Sequence, residues 1–389
     1  MNSKAFETQA IRLQTERSNH REHSVPIYAT SSYLFDNAEH ARALFAKEVE
    51  GNVYSRYSNP NNDEFVQKLC TLEGAEAGIA TASGMAAMFI SLASFVKAGD
   101  HIVACRSVFG STHQILTQLL PRWNVSYTYV DGANMDEWEA AITPTTKMFF
   151  LETPSNPGLN VFDISAISEI THQHGILVNV DNCFATPYLQ NPIALGADIV
   201  THSATKFIDG QGRTLGGAVL SSKEVIEEVM FMSRHTGPAM SPFNGWVLSK
   251  SLETLAVRMD RHCSNALTLA KFLEDQPVVS KVHYPYLDSH PNMDLAKRQM
   301  RQGGGLVTFE LKSGLEGGRK FLDQLSMISL SSNLGDSRTI ATHPASTTHS
   351  KLTEEERNAV GIMPGTIRIS VGLEHIDDII NDVEAALKD

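Results

Sequence analysis

Residues 176–206 read ILVNVDNCFATPYLQNPIALGADIVTHSATK and contain two short runs, ILVNV and ADIV, that are almost continuously apolar. Such runs are typical of strands that a parallel sheet buries on both faces. Asp181-Asn182 follows the first run, and Ser203-Ala204-Thr205-Lys206 stands shortly after the second. The stretch therefore predicts two buried parallel strands, each of which ends in polar residues.

The same alternation extends over residues 56–250. GIATASG leads into the helical pattern MAAMFISLASFVKAG, HIVACRSVFGS leads into THQILTQLLPRW, and KMFFLETPSNP leads, after a loop, into ISAISEITHQHG. Strands that alternate with helices indicate βαβ units with right-handed crossovers. We therefore predict an α/β protein whose large domain, residues 56–250, is built on a mostly parallel central sheet.

The two ends of the chain depart from this pattern. Residues 1–55 are polar with few periodic apolar runs, so we predict an N-terminal arm with a short helix. From residue 251 a long helical pattern ends before Pro277, and isolated strand patterns such as GGGLVTFEL and TIRISVGLE are then mixed with helices. Residues 251–389 are therefore predicted to form a smaller α+β domain.

Composition limits the class of protein. The chain has 389 residues, of which 42% are hydrophobic and 20% charged, as in water-soluble globular proteins. Its formal net charge of -12 argues against nonspecific binding to nucleic acid or to an anionic membrane. No apolar stretch approaches the ~18 residues of a membrane span, and the polar N-terminus lacks the apolar core of a signal peptide. The four cysteines form no CxxC pair, so we expect a protein of the reducing cytoplasm.

The sequence lacks the motifs of several common enzyme classes. The chain contains no GxxxxGK[ST], HExxH or GxSxG, and the glycines of IDGQGRTLGG do not open an apolar helix as a dinucleotide fingerprint does. The close histidine pair His172 and His174 lacks carboxylate or cysteine partners at ligand spacing. No metal site is therefore predicted.

The strand ends point to a specific cofactor. In doubly wound sheets ligands bind beyond the carboxyl ends of the strands, which here carry Ser83-Gly84-Met85, Asp181-Asn182 and Ser203-Ala204-Thr205-Lys206. A lysine in a pocket loses part of its tendency to be protonated, so its amine can form a Schiff base with an aldehyde. Pyridoxal phosphate needs such a lysine, an acid beside its ring nitrogen, and donors for its phosphate. The helix that begins near Gly84 offers free backbone N–H groups for that phosphate.

Each of these features has an ordinary explanation. Lys206 alone is compatible with a surface lysine, Asp181 with a turn residue, and Ser83-Gly84 with a helix cap. Their occurrence together at strand ends of βαβ units favours the cofactor site.

The motifs also carry a family resemblance. In order along the chain they are EHSVPIYATSSYLF, NVYSRYSNPNND, LEGAEAGIATASGMAA, ETPSNP, VDNCFATPYLQNP, HSATKFIDGQG, THPASTTHS and IRISVGLE. Over essentially its whole length the sequence resembles the Cys/Met metabolism family of pyridoxal-phosphate enzymes, which have fold type I. The resemblance implies that Lys206 holds pyridoxal 5'-phosphate covalently, as a Schiff base, and that Asp181 pairs with its ring nitrogen. It implies phosphate contacts from Gly84, Met85, Ser203 and Thr205, and from Tyr54 and Arg56 of a neighbouring subunit.

Further roles follow from the same resemblance. Phe109 is expected to stack on the cofactor ring, Asn156 to contact the ring oxygen, and Arg368 to bind the substrate α-carboxylate, with Asn333 and Thr348 also in the substrate site. The ordinary alternatives are core packing for Phe109, an Asn-Pro turn for Asn156, and an ion pair with an acid for Arg368. The family also implies a homotetramer, a dimer of dimers, with active sites shared between subunits.

Some positions depart from the family pattern. Phe109 stands where many members have Tyr, and a phenyl ring can stack but cannot act as an acid or base. Ser111 replaces the Cys of methionine γ-lyases, and Asn333-Leu334-Gly335 replaces Ser-Leu-Gly. Arg338 stands where the family commonly has a Glu. Two alternatives stay open for Arg338: it binds an acidic group of the ligand, or it is an ordinary surface residue.

The expected reaction is γ-replacement, in which O-succinyl-L-homoserine and sulfide give L-homocysteine and succinate in methionine biosynthesis. Three alternatives stay open within the same chemistry: a cystathionine γ-synthase with cysteine as acceptor, a sulfhydrylase that uses O-acetylhomoserine, and a γ-lyase. A cofactor-binding protein without turnover is the alternative of another class, although Lys206 and Asp181 are both present.

Overall fold

The computed structural model describes residues 4–347, 357 and 361–388, and its larger sheet has seven strands. They are β1 (Ala77–Thr81), β2 (His101–Cys105), β3 (Ser126–Val130), β4 (Thr146–Glu152), β5 (Leu177–Asp181), β6 (Ile199–Ser203) and β7 (Gly217–Ser221). The spatial order is β1-β7-β6-β5-β4-β2-β3, and β7 runs antiparallel to both of its neighbours while the other pairs are parallel. The predicted mostly parallel sheet is confirmed.

Helices cover this sheet and form the N-terminal region. They are α1 (Phe6–Arg12), α2 (Ala38–Phe45), α3 (Pro60–Glu73), α4 (Gly84–Ala93), α5 (Gly110–Gln114), α6 (Met135–Ala140), α7 (Ile164–His172), α8 (Thr186–Leu189), α9 (Lys223–Thr236) and α10 (Pro242–Leu252). A π-helical turn at Ile115–Leu119 and 3-10 turns at Leu120–Trp123 and Ile193–Leu195 complete the set. The predicted arm therefore contains two helices, α1 and α2, rather than one, because short helices give too few turns for a clear apolar period.

A second, five-stranded sheet follows a long helix. The elements are α11 (Leu255–Glu274), β8 (Val279–His283), α12 (Met293–Gln299), β9 (Leu306–Leu311), α13 (Gly314–Gln324), β10 (Ser329–Leu330), β11 (Ile340–Thr342), a 3-10 turn at Pro344–Ser346, β12 (Thr366–Ser370) and α14 (Ile376–Leu387). The strand order is β10-β11-β12-β9-β8. The domain boundaries at residues 55 and 250 stay a prediction.

Helix α11 connects the two sheets through its apolar positions. Leu255 and Met259, near its start, belong to a core cluster that also contains Phe207, which follows β6 of the larger sheet. Ala266 and Leu269, about two to three turns later, pack in the core around the second sheet. Because one rigid helix contributes to both cores, the carboxyl edge of the first sheet is held against β12.

None of the helices that the structure describes combines the length and apolar character required to cross a bilayer. All four cysteines are buried, and none of them forms a disulfide.

Candidate active site

The site begins at the carboxyl ends of β5 and β6. Asp181 is the last residue of β5 and lies beside Thr201 of β6, and Lys206 follows the end of β6 by three residues. The Lys206 Nζ donates a 2.7 Å hydrogen bond to Oδ1 of Asn333. Burial and, less strongly, the nearby Arg368 guanidinium lower the pKa of Lys206, while Cys183 acts in the opposite direction. Lys206 is therefore an amine whose protonated form the site disfavours.

Asp181 is a buried carboxyl with a fixed orientation. Its Oδ1 accepts the backbone N–H of Cys183 at 3.0 Å. Burial raises the pKa of Asp181, and this hydrogen bond together with the charge of His202 opposes the rise. A buried carboxylate of this kind gains from a cationic partner such as a protonated ring nitrogen.

The first turn of α4 forms a cradle beside β6. Ser83 caps the helix, with its Oγ accepting the N–H of Ala86 at 3.2 Å. A Cβ added to Gly84 would lie 2.4 Å from Cβ of Ser203, so a side chain at Gly84 would collide with β6. The close approach brings the unpaired N–H groups of Gly84 and Met85, at a helix N-terminus, next to the Ser203 hydroxyl.

Thr205 lies two residues after Ser203. Its Oγ1 accepts the N–H of Gly216 at 3.1 Å, which fixes the hydroxyl between β6 and β7. Together, an anion cradle, an amine and a buried carboxyl fit the phosphate, aldehyde and ring nitrogen of pyridoxal phosphate, respectively.

Arg368 approaches from the second sheet. It lies in β12, is 3% exposed, and its Nη1 donates to Oδ1 of Asn156 at 3.0 Å. Its Nη2 donates to the backbone carbonyl oxygens of Ser332 and Asn333 at 3.3 and 3.2 Å. Among the described residues no carboxylate forms a salt bridge with Arg368, so the alternative of an ion pair is not what the structure contains. Burial lowers the pKa of Arg368 to about 10, and the nearby Glu152 carboxyl opposes this fall, so the buried cation lacks a directly paired carboxylate.

The strand pattern explains why Arg368 points to the site. Ile367, Ile369 and Val371 lie in the second core, whereas Ser370 accepts the N–H of Gly335 at 2.8 Å on the other face. This is the alternation that the sequence predicts for β12.

Phe109 leads to a residue that the sequence analysis missed. Phe109 is 38% exposed, and its backbone N–H donates to Oε2 of Glu152 at 2.9 Å. Glu152 is the last residue of β4, is 3% exposed, and lies opposite Asp181 in the strand register. A polar residue at the end of an apolar run was the signal that identified Asp181, and the same signal in KMFFLE would have identified Glu152.

Tyr54 and Arg56 lie elsewhere on this chain. Tyr54 forms a single bridge with Ser32, and the Arg56 guanidinium lies 4.7 Å from the ring centroid of Tyr57. Arg56 also donates to the backbone carbonyl oxygen of Arg234 near the end of α9. No described hydrogen bond joins either residue to Lys206 or to Asp181, and their action in a neighbouring subunit stays a prediction.

Two other predicted positions have different outcomes. Arg338 donates to Asp336 through Nε and Nη2, both at 2.9 Å, and its side chain is 64% exposed, so its charge is already paired at the surface. Thr348 lies outside the described residues. The described residues contain no group of three or more His, Cys, Asp or Glu arranged to hold a metal ion.

Comparison with known proteins agrees with this geometry. A model of the Cys/Met metabolism PLP-dependent enzymes matches residues 7–388. The chain is 46% identical to the O-succinylhomoserine sulfhydrylase of Pseudomonas aeruginosa, over 98% of this chain and 95% of that one. It is 42% identical to an L-methionine gamma-lyase of Fusobacterium nucleatum, over 100% and 99% of the two chains.

A solved structure shows the same fold with a cofactor. The crystal structure of a putative O-acetylhomoserine (thiol)-lyase from Campylobacter jejuni superposes with a TM-score of 0.95 at 35% identity, covering 99% of this chain and 100% of that one. That chain carries N'-pyridoxyl-lysine-5'-monophosphate at its own position 205.

Proposed function

The chain belongs to the Cys/Met metabolism PLP-dependent enzymes, and we propose that it catalyses γ-replacement on O-succinyl-L-homoserine, with sulfide as acceptor and L-homocysteine and succinate as products. The identity to a sulfhydrylase over nearly the whole chain supports this reaction. We also propose a cytoplasmic homotetramer, a dimer of dimers, in which Tyr54 and Arg56 complete the active site of a partner subunit.

One observation carries the proposal. Asn333 binds the Lys206 amine through its side chain at 2.7 Å and the Arg368 guanidinium through its backbone carbonyl at 3.2 Å. We infer that a substrate whose carboxylate binds Arg368 has its α-carbon near the Lys206 amine. The shared contact with Asn333 supports proton transfer at that carbon.

The chain's own groups have distinct tasks. Pyridoxal phosphate, when bound, supplies an aldehyde for the substrate amine and a ring that accepts electrons. Lys206 removes the proton from the substrate α-carbon and, within reach of the β-carbon, moves the protons that precede and follow departure of succinate. Asp181 holds a proton on the ring nitrogen, and Arg368 fixes the α-carboxylate. Phe109 has no hydroxyl, so we assign the proton transfers to Lys206.

The choice between replacement and elimination depends on what is added at the γ-carbon after succinate leaves. Addition of sulfide gives homocysteine. Addition of a proton instead gives an enamine, and its release and hydrolysis by water yield an α-keto acid and ammonia, so the site has to favour sulfide over protonation and exclude water. The similarity to methionine γ-lyases makes elimination the second candidate. Ser111, which replaces the Cys of those lyases, and Asn333, which replaces the common Ser, favour the sulfhydrylase.

A product assay tests the proposal. O-succinylhomoserine and O-acetylhomoserine are each incubated with sulfide, with cysteine and without acceptor. We expect homocysteine from the succinyl substrate with sulfide at the highest kcat/KM. Cystathionine as the main product would indicate a cystathionine γ-synthase. An α-keto acid formed at the same rate with sulfide, with cysteine and without acceptor would indicate a lyase.

A further inference from the structure

Glu152 is a second buried carboxyl beside Asp181 for which the proposed reaction has no use. The two residues end β4 and β5 and face each other in the strand register. They are 3% and 8% exposed, respectively. A sheet that places two carboxyl groups together away from water incurs a desolvation cost and a repulsion. A buried charge of this kind needs compensating contacts.

The contacts of Glu152 reach both sides of the site. Its Oε2 accepts the N–H of Phe109 at 2.9 Å, and the backbone of Asn156 also acts on this carboxyl and lowers its pKa. The side chain of Asn156 in turn accepts from Arg368 at 3.0 Å. Glu152 thus connects the loop that carries the ring-stacking Phe109 to the residue that holds Arg368.

Helix α5 depends on this contact. Phe109 stands at its N-cap position, and no side chain of the cap residue satisfies the first N–H groups. The helix has only five residues before its geometry changes to a π turn. An external acceptor for the Phe109 N–H therefore fixes where the helix, and with it the phenyl ring, begins.

The charges around Glu152 are mixed. Burial and Asp181 raise its pKa, while the Phe109 N–H, Arg368 and the Asn156 backbone lower it, and the rise prevails. Cys105 and Cys183 are further titratable groups that interact with it. The oxygen that accepts the Phe109 N–H is present in either protonation state.

We propose that Glu152 is a positioning residue that sets Phe109 against the cofactor ring and, through Asn156, sets Arg368 against the substrate carboxylate. This inference rests on the proposed function of the same site. It assigns a role to a residue that takes no part in the proton transfers.

The test uses double-mutant cycles on the full-length protein. Glu152→Gln has nearly the same shape but offers one accepting oxygen in place of two. We expect it to raise the dissociation constant of pyridoxal phosphate from the apo-protein, measured by tryptophan fluorescence, by about tenfold, a coupling usual for residues in contact. In the Phe109→Ala background the same change should raise that constant less than about twofold, because the contact through which Glu152 acts is gone.

The second cycle follows substrate binding. Glu152→Gln should raise KM for the amino-acid substrate and have a smaller effect on kcat. When the same change is made in the Asn156→Ala background, it should raise KM much less. The proposal would be overturned if Glu152→Gln left the cofactor dissociation constant and KM unchanged. It would also be overturned if, in both double variants, the fold-changes were the product of those of the single variants.

Two further variants separate positioning from folding and charge. Glu152→Asp keeps the carboxyl group but shortens the side chain by about 1.5 Å, so it should also weaken cofactor binding; a wild-type constant would contradict a positioning role. Glu310→Gln removes the carboxylate that pairs with His283 at 3.0 Å in the second sheet, and it should leave the cofactor constant unchanged. The cofactor cycle does not depend on the acyl group or the acceptor, so its failure is distinguishable from failure of the product assay.

Discussion

The Nζ of Lys206 and the Oδ1 of Asn333 are 2.7 Å apart, although 127 positions separate the two residues along the chain. The contact joins the end of β6 in the first sheet to the loop after β10 in the second. It aligns the amine with Arg368, because the backbone carbonyl of Asn333 accepts from that guanidinium. The relative position of the two sheets therefore determines how the Lys206 amine lies relative to Arg368.

Asn333→Ala should lower kcat more than it raises KM. The variant removes the acceptor that orients the Lys206 amine but keeps the backbone carbonyl that contacts Arg368. Misplacement of a proton-transfer group commonly costs about tenfold or more in rate. Steady-state kinetics with O-succinylhomoserine and sulfide measures the effect; a change confined to KM would mean that Asn333 binds substrate only.

Arg368→Ala should raise KM for every amino-acid substrate by about tenfold or more, since charge-assisted hydrogen bonds to a carboxylate are worth about 1.5–3 kcal/mol. Arg338→Ala is the matched control, because Asp336 already pairs with that guanidinium. A rise in KM in the control that is specific to the succinyl substrate would instead place Arg338 at the acyl group.

A site shared between subunits predicts complementation. Arg56→Ala should weaken cofactor binding, and Lys206→Ala should abolish turnover. When the two variants are unfolded and reassembled together, some sites combine Lys206 from one chain with Arg56 from its partner. Activity above that of either variant alone is expected, and no recovery in verified hybrid oligomers would refute a shared site.

The buried carboxyl of Asp181 should destabilise the apo-protein at neutral pH. Its pKa is raised from an ordinary 3.8 to about 6, so between these values the folded chain binds more protons than the unfolded chain. Stability from this group is therefore present at low pH and is lost as pH rises toward 6. Asp181→Asn should make the apo-protein more stable than wild type at pH 7, by about 2–3 kcal/mol.

Denaturant unfolding of both apo-proteins between pH 5 and pH 8 measures this difference. It should shrink as the pH falls. Equal stability of the variant and the wild type at pH 7 would show that Asp181 is not held in an unfavourable environment.

The sequence predicts the parts of the site that depend on local strand geometry. Asp181 and Lys206 follow apolar runs, and parallel strands bring such ends to one edge of a sheet. Arg368 follows from alternation in β12. Their functional roles come from the family resemblance rather than from the pattern.

Other features depend on distant parts of the chain and were not predicted. Strand β3 lies at the sheet edge and is partly exposed, so its sequence, SYTYV, lacks the continuous apolar character of a central strand. The contact of Lys206 with Asn333 depends on the packing of two sheets. The action of Arg56 in a partner subunit comes from the family resemblance and stays a prediction, because a single sequence does not encode a subunit contact as a local pattern.

The central claim is that Lys206 and Asp181 meet opposite ends of one bound pyridine aldehyde, and borohydride reduction of the holoenzyme tests the lysine most directly. Peptide mapping by mass spectrometry should then find a pyridoxyl-phosphate adduct on Lys206, and Lys206→Ala should yield no adduct. An adduct on another lysine, in either protein, would contradict the account.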